Sequence, residues 1–221
     1  MLDKILSIIA PHYCCGCDRI GSLLCSNCKF NINMDPKMVC VVCHKPTART
    51  WLCDNCVMPF EKVWVVGERD GTLQRLIGLY KFERAKSAYQ PLGDLLLDIL
   101  PELPIGTVIV PIPTTASRIR ERGYDHMLLV AEYIAHKRGL KCQQLVRRQT
   151  KTKQRQSTAR QRQAQAKQAF TVRESINADV PYLLIDDVIT TGATIKYAAL
   201  ALRQAGAKHV WVAAVARQVM K

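Results

Sequence analysis

The chain has 221 residues, 48% of them hydrophobic, with 32 Lys and Arg against 18 Asp and Glu, a formal net charge of +14. Apolar content of that size buries a full core, in one large domain plus a small one, and excludes a chain that cannot fold. The charge indicates attraction to phosphates, whether on nucleic acid, on an anionic metabolite or on a membrane surface, and does not choose among them.

At the N-terminus, Leu2, Ile5, Leu6 and Ile9 fit one face of a short helix. The run is broken by Asp3 and Lys4 and stopped by Pro11, too short for a membrane span. No small-residue cleavage site follows, so a cytoplasmic location is expected.

Eight of the ten cysteines then form four C-x-x-C pairs: Cys14 with Cys17, Cys25 with Cys28, Cys40 with Cys43, and Cys53 with Cys56. Two thiolates three positions apart on a tight turn can face one ion, and two such turns complete a tetrahedral zinc site with bonds of about 2.3 Å. A disulfide framework would need an oxidising compartment, and a redox C-x-x-C more often stands alone. The expectation is structural Zn²⁺, one or two ions, with residues 14–28 and 40–56 as a degenerate repeat. Crossed pairing stays open, as do His12, Cys15 and His44 as substitute ligands. Closed four-thiolate sites leave no position for catalysis. Eight thiolates and two Zn²⁺ would bring the net charge of +14 down to about +10, still basic.

The cysteines stop before Pro59 and an apolar run, Val63 to Val66, begins. The boundary is therefore set near 60, with a cysteine-rich module over 1–59 and a second domain over 60–221. In the second, helices are predicted at about 72–80, 85–100, 125–138 and 193–205, and strands at about 107–112, 142–146, 181–186 and 208–215. Strand–helix alternation with short continuous apolar strands makes this an α/β fold, a parallel sheet flanked by helices, with ligands at the strands' C-terminal ends.

The most informative stretch runs from Tyr182 through Asp186, Asp187, Val188, Ile189, Thr190, Thr191, Gly192, Ala193 and Thr194. An apolar strand delivers two carboxylates to the sheet edge, and a loop of small residues turns directly into a helix. Gly192 and Ala193 let the backbone approach a ligand, and the hydroxyls of Thr190, Thr191 and Thr194 with the helix N-terminal N–H groups can hold a phosphate. Asp186 and Asp187 can accept hydrogen bonds from vicinal hydroxyls. No Walker A or G-x-G-x-x-G motif is present.

This stretch closely resembles the signature of type I phosphoribosyltransferases that binds 5-phosphoribosyl-1-diphosphate (PRPP). The resemblance implies that Thr190 through Thr194 hold the 5-phosphate, that Asp186 and Asp187 contact the ribose hydroxyls with Val188 beside them at the PRPP site, and that PRPP is bound with Mg²⁺. Purine-salvage members usually carry an aspartate at the loop's first position, where this chain has Thr190, which is closer to the orotate type and removes the usual candidate for a general base.

A second strand, Val108 to Pro113, ends in Thr114 and Thr115, followed by Arg118, Arg120 and Arg122. Arginines past a strand's C-terminal end can reach a diphosphate and stabilise charge on a leaving group, so Thr114, Thr115, Arg118 and Arg122 are assigned to that side. His126 reads as a packed or surface residue. From Arg147 to Lys167 the chain carries Arg147, Arg148, Lys151, Lys153, Arg155, Arg160, Arg162 and Lys167 with no acid. Such an arm is either a lid over a polyphosphate or a nucleic-acid surface, with Arg147, Arg148, Arg155, Arg160 and Arg162 as the DNA contacts in the second case.

The cysteine knuckles, the Leu-x-x-Tyr-Lys-Phe-like element at 76–82, Val-Pro-Ile-Pro, Arg-Gly-Tyr, the arm with Gln154 and Arg160 ending in Ala169-Phe170, and the Asp-Asp-Val-Ile-Thr-Thr-Gly turn together look like the ComF family over nearly the full chain. The resemblance implies a phosphoribosyltransferase-like domain, a link to DNA uptake in natural transformation, and single-stranded DNA and DNA-processing proteins as partners. The chain departs from the family at Tyr124-Asp125-His126, where Phe-Asn-Gln is usual, and at Ala164-Gln165, where Arg-Asn is usual.

Overall fold

The structure, a computed structural model, describes residues 12–33, 38–48, 50–149, 169–172 and 174–218. The expected N-terminal helix and most of the basic arm, including Arg155, Arg160 and Arg162, lie outside the described residues.

Five strands form one parallel sheet: β1 (Lys62–Glu68), β2 (Val108–Pro111), β3 (Lys141–Cys142), β6 (Pro181–Ile189) and β7 (His209–Arg217), in the order β1-β7-β6-β2-β3. The central strands β6 and β7 are buried on nearly every residue, as parallel strands covered on both faces must be. Helices α1 (Ser26–Asn33), α2 (Gly71–Phe82), α3 (Tyr89–Ile99), α4 (Ala116–Arg122), α5 (His126–Arg138) and α6 (Ala193–Gln204) surround it. The four helices read from the sequence are present, the one expected at 85–100 opening as a 3₁₀ turn over Lys86–Ala88.

Alternation along the strands divides the core in two. Leu183, Ile185, Ala213 and Val215 face α2, α3 and α5, packing with Leu76, Tyr80, Leu96, Met127 and Ile134. Leu184, Val210, Val212 and Ala214 face α6, packing with Ile195, Ala199 and Leu202. The cysteine segments take part in both halves: Cys15 lies in the first cluster, and Val41, Trp51 and Phe60 lie in the second.

Two expectations are corrected. The strand placed at 142–146 is two separate strands. β3 pairs with β2 over two residues only, Gln143 N–H donates to Ile109 O, and the chain then leaves the sheet to form an antiparallel hairpin of β4 (Val146–Arg148) with β5 (Phe170–Val172). Leu145, Val146 and Phe170 bury in the α6-side core, which draws the hairpin down over that face. Second, β6 does not stop at Asp186 but runs to Ile189, so both carboxylates stand inside the strand rather than beyond its end.

Candidate functional site

The eight cysteines sort in chain order: Cys14, Cys17, Cys25 and Cys28 form one cluster, Cys40, Cys43, Cys53 and Cys56 another, the sulfur atoms of each lying within 4.8 Å of one another. The crossed pairing left open by spacing is not what the structure shows. The turns repeat bond for bond. Cys14 N–H donates to Arg19 O and Cys40 N–H to Lys45 O, and the residue after each second cysteine, Asp18 or His44, has a positive φ of 57° or 59°.

Four ligands at about 2.3 Å around a tetrahedral Zn²⁺ stand about 3.8 Å apart. The Cys17–Cys25 and Cys43–Cys53 sulfur separations are 3.7 and 3.6 Å, so the donor sets fit that ion. Burial raises the Cys14 pKa, but N–H groups of Cys25, Gly16 and Cys17 aimed at the sulfur outweigh it and bring it down to about 6. Cys40 is brought to about 6 by the same balance. Within the clusters these two sulfurs take the negative charge, while Cys28, by burial and its neighbouring thiols, and Cys56, by its hydrogen bond with Cys53 and burial, are pushed up. Cys15 is turned into the core instead, its thiol pushed up to about 11 by burial. Gly16 is required by close approach, since a Cβ there would lie 2.6 Å from Cys28 Sγ. An ion in each cluster would cross-link its own turn and, with four thiolates, keep no open position.

At the carboxyl end of β6 the chain bends through Thr190, Thr191 and Gly192 into α6, with Gly192 left-handed at φ 70° as the residue before the helix. Thr190, Thr191 and Ala193 are exposed and Thr194 is partly so. Among the described residues no hydrogen bond takes up the three threonine hydroxyls. The turn is thus open, presenting hydroxyls and the first N–H groups of α6 on one side.

The two acids behave differently. Asp187 lies on the α2/α5 side of the sheet, where its Oδ2 receives Lys81 Nζ at 2.7 Å and His126 Nε2 at 2.6 Å. Burial alone would raise its pKa, but those two donors outweigh it and hold the carboxylate well below its usual range. Asp186 faces the opposite way, its Oδ1 accepting, among the described residues, only the Asp187 N–H at 2.9 Å. Burial, then the neighbouring Asp187 charge, push its pKa up. His126 is 5% exposed, so of the two placements left open by the sequence it takes the packed one, and it is also wired. Its Nδ1 is 2.9 Å from Arg122 Nη1, which can only donate, so Nδ1 accepts and Nε2 carries the proton given to Asp187.

Arg122 is placed otherwise than a diphosphate ligand on the surface would be. It is 7% exposed, with Nε donating to Lys81 O at 2.9 Å and Nη1 to His126. Thr114 donates to Asp125 Oδ1 at 2.8 Å and sits 3.1 Å from His126 Nδ1; Thr115 pairs with Ser117 at 3.2 Å. Arg118 and Arg120 are exposed on α4. The family departures are absorbed locally: Tyr124 donates to Tyr80 O at 2.5 Å, Asp125 caps α5 through the N–H groups of Met127 and Leu128, and His126 bridges to Asp187. Arg147 and Arg148 are exposed on β4. Sequence reading missed Lys81, which it quoted only as part of the 76–82 element; its partner is 106 positions away, and the only signal was a cation at the end of an apolar helix.

No family model matches the chain. Among curated proteins it is 28% identical over 209 residues to competence protein F of Haemophilus influenzae, covering 88% of this chain and 90% of that protein. The chain is similar to the ComF and YhgH proteins over most of its length. DNA utilization protein YhgH of Escherichia coli K12 is 28% identical over 205 residues, covering 85% of this chain and 88% of that protein, and YhgH of Salmonella typhi is 26% identical over 215, covering 86% and 94%. Among solved structures, that of the allosteric regulatory enzyme of purine biosynthesis is matched at 20% identity with a TM-score of 0.43, over 58% of this chain and 25% of that one. No described helix of the chain is long and apolar enough to cross a membrane.

Proposed function

We propose that the protein binds PRPP, with Mg²⁺, on the turn from Asp186 to Thr194, and acts in the use of DNA, the role that its relatives' names carry. The observation behind this reading is the open turn. Thr190, Thr191 and Thr194 offer hydroxyls that no described residue takes, directly before the N-terminus of α6 and after a strand bearing two buried acids. A phosphate satisfies the hydroxyls and helix N–H groups, and a sugar diol satisfies free carboxylate oxygens. Thr114, Thr115 and Arg118 then lie on the diphosphate side, with Arg122 bracing His126 behind them. If phosphoribosyl transfer takes place, the chain's contribution is positioning and charge stabilisation rather than a general base. Calorimetry with PRPP, with and without Mg²⁺, tests the reading: saturable binding that Asp186→Asn and Thr191→Val weaken supports it, and absence of binding ends it.

A second reading has its own support in the exposed, acid-free pair Arg147 and Arg148, which opens the basic arm. Here the protein is a non-catalytic binder of single-stranded DNA and of a DNA-processing partner, with PRPP regulating it. Phosphate neutralisation by lysines and arginines makes such affinity fall with salt. Gel shifts over a salt series, with Arg147, Arg148, Arg155, Arg160 and Arg162 changed to Ala, separate the two; affinity indifferent to both salt and substitution removes the DNA arm.

A further inference from the structure

Lys81 occupies the last turn of α2, and its backbone is fixed from several directions. Arg122 Nε donates to its carbonyl at 2.9 Å, Tyr124 donates to the preceding carbonyl of Tyr80, and Tyr80 donates to His126 O at 2.6 Å. The side chain is only 14% exposed. It carries three N–H donors, and among the described residues only one finds a partner, Asp187 Oδ2. Two donors on this mostly buried side chain meet no protein oxygen among the described residues and are left to solvent or to oxygens from a ligand. Oδ1 of Asp187 likewise accepts nothing from a described residue.

The direction of this cluster is set by His126. Its imidazole lies between Asp187 on β6 and Thr114, three residues past β2, so Lys81 and its acid sit on the β2 side of β6. The phosphate turn at Thr190–Thr194 lies at the other end, past Ile189. A ligand with one phosphate in the turn and hydroxyls at Asp187 would bring whatever it carries beyond those hydroxyls to Lys81. In a phosphoribosyl ligand, that is the substituent at C1.

We infer that Lys81 is a ligand-site residue that contacts the C1 diphosphate of a phosphoribosyl ligand, with Asp187 as its counter-ion in the free protein. The inference rests on the PRPP reading above and deepens it by naming the residue that tells PRPP from ribose 5-phosphate. A ribose 5-phosphate fills the turn and reaches Asp187 but leaves Lys81 paired only with the acid. PRPP gives the ammonium two further oxygens.

The test is calorimetry on the full, zinc-loaded chain with PRPP, ribose 5-phosphate and inorganic diphosphate, comparing wild type with Lys81→Gln. The expected result is a loss of about tenfold or more in PRPP and diphosphate affinity, with ribose 5-phosphate held within about threefold. Equal losses for PRPP and ribose 5-phosphate, or no loss for either, overturn the inference while leaving the PRPP site standing. Wild-type protein that binds none of the three overturns the PRPP reading and the inference together. Should the unpaired acid in Lys81→Gln unfold the chain, the comparison is made in the Asp187→Asn background. There Lys81→Gln must still cost PRPP more than it costs ribose 5-phosphate, and failure to do so overturns the inference.

Discussion

The indole of Trp51, from the second cysteine knuckle, lies beneath the guanidinium of Arg217 at the end of β7, 5.9 Å from ring centroid to guanidinium carbon. Arg217 N–H also reaches Glu68 Oε1 at 2.5 Å, and the adjacent Gln218 N–H donates to Ile189 O just before the Thr190–Thr194 turn. The knuckle therefore abuts the elements that hold the turn in place. Trp51 is 4% exposed and shares its core cluster with Val65, Ile189 and Ile195. Trp51→Ala should cost about 3–5 kcal/mol by urea denaturation, because it leaves a large cavity and removes the cation–π contact together. Trp51→Phe should lose clearly less.

Gly192 is a second link between knuckle and turn. A Cβ built on it would sit 3.7 Å from Val41 O, an ordinary contact, so room is not what demands glycine there. Its φ of 70° is. Gly192→Ala should destabilise by about 1–2 kcal/mol through backbone strain, and Gly192→Asn by less, because asparagine tolerates the left-handed region. Denaturation midpoints rank the three. A Gly192→Ala chain as stable as wild type would show that the turn relaxes to another shape.

Local patterns in the sequence carried a good part of this. Four C-x-x-C pairs announce metal turns because both ligands of a pair lie within one turn, and the run from Tyr182 to Thr194 announces strand, loop and helix because each has its own residue chemistry. What escaped notice was held by distant partners. Lys81 and His126 gain their meaning only where α2, α5 and β6 meet, and nothing in their own neighbourhoods points to Asp187. The split of 142–146 into β3 and β4 was equally hidden, since Cys142 and Val146 look alike as apolar residues yet belong to different sheets. Grouping of the cysteines needed the structure too, because spacing fixes pairs and not which pairs share an ion.

Metal content follows from that grouping. Two Zn²⁺ per chain are expected by elemental analysis, and Cys17→Ser with Cys25→Ser should leave one. Removing both with a chelator should lower the melting temperature of the whole sheet, because Val41, Trp51 and Phe60 belong to the same core as Val110 and Leu184. Loss of the knuckles with the sheet's melting unchanged would mean the cysteine segments fold independently of it.

The acid pair gives stability a pH dependence whose sign can be stated. Asp187 is held below its unfolded value by His126 and Lys81, against burial. Its contribution is present above the ordinary carboxylate range and is lost as pH falls through the folded value. Asp186 is raised by burial and by Asp187. Between its ordinary and its raised value the native state keeps a proton that the unfolded chain has released, so stability declines as pH rises through that interval and then levels off. Asp186→Asn removes this decline, and its advantage over wild type should grow from about pH 5 toward neutrality in urea denaturation while ligand affinity falls. Asp187→Ala, which strands Lys81 beside an empty partner position, should cost about 3–5 kcal/mol at neutral pH. Parallel pH profiles for Asp186→Asn and wild type would mean that Asp186 is ionised in the folded protein as readily as in the unfolded one, and that its burial is relieved by a contact not seen among the described residues.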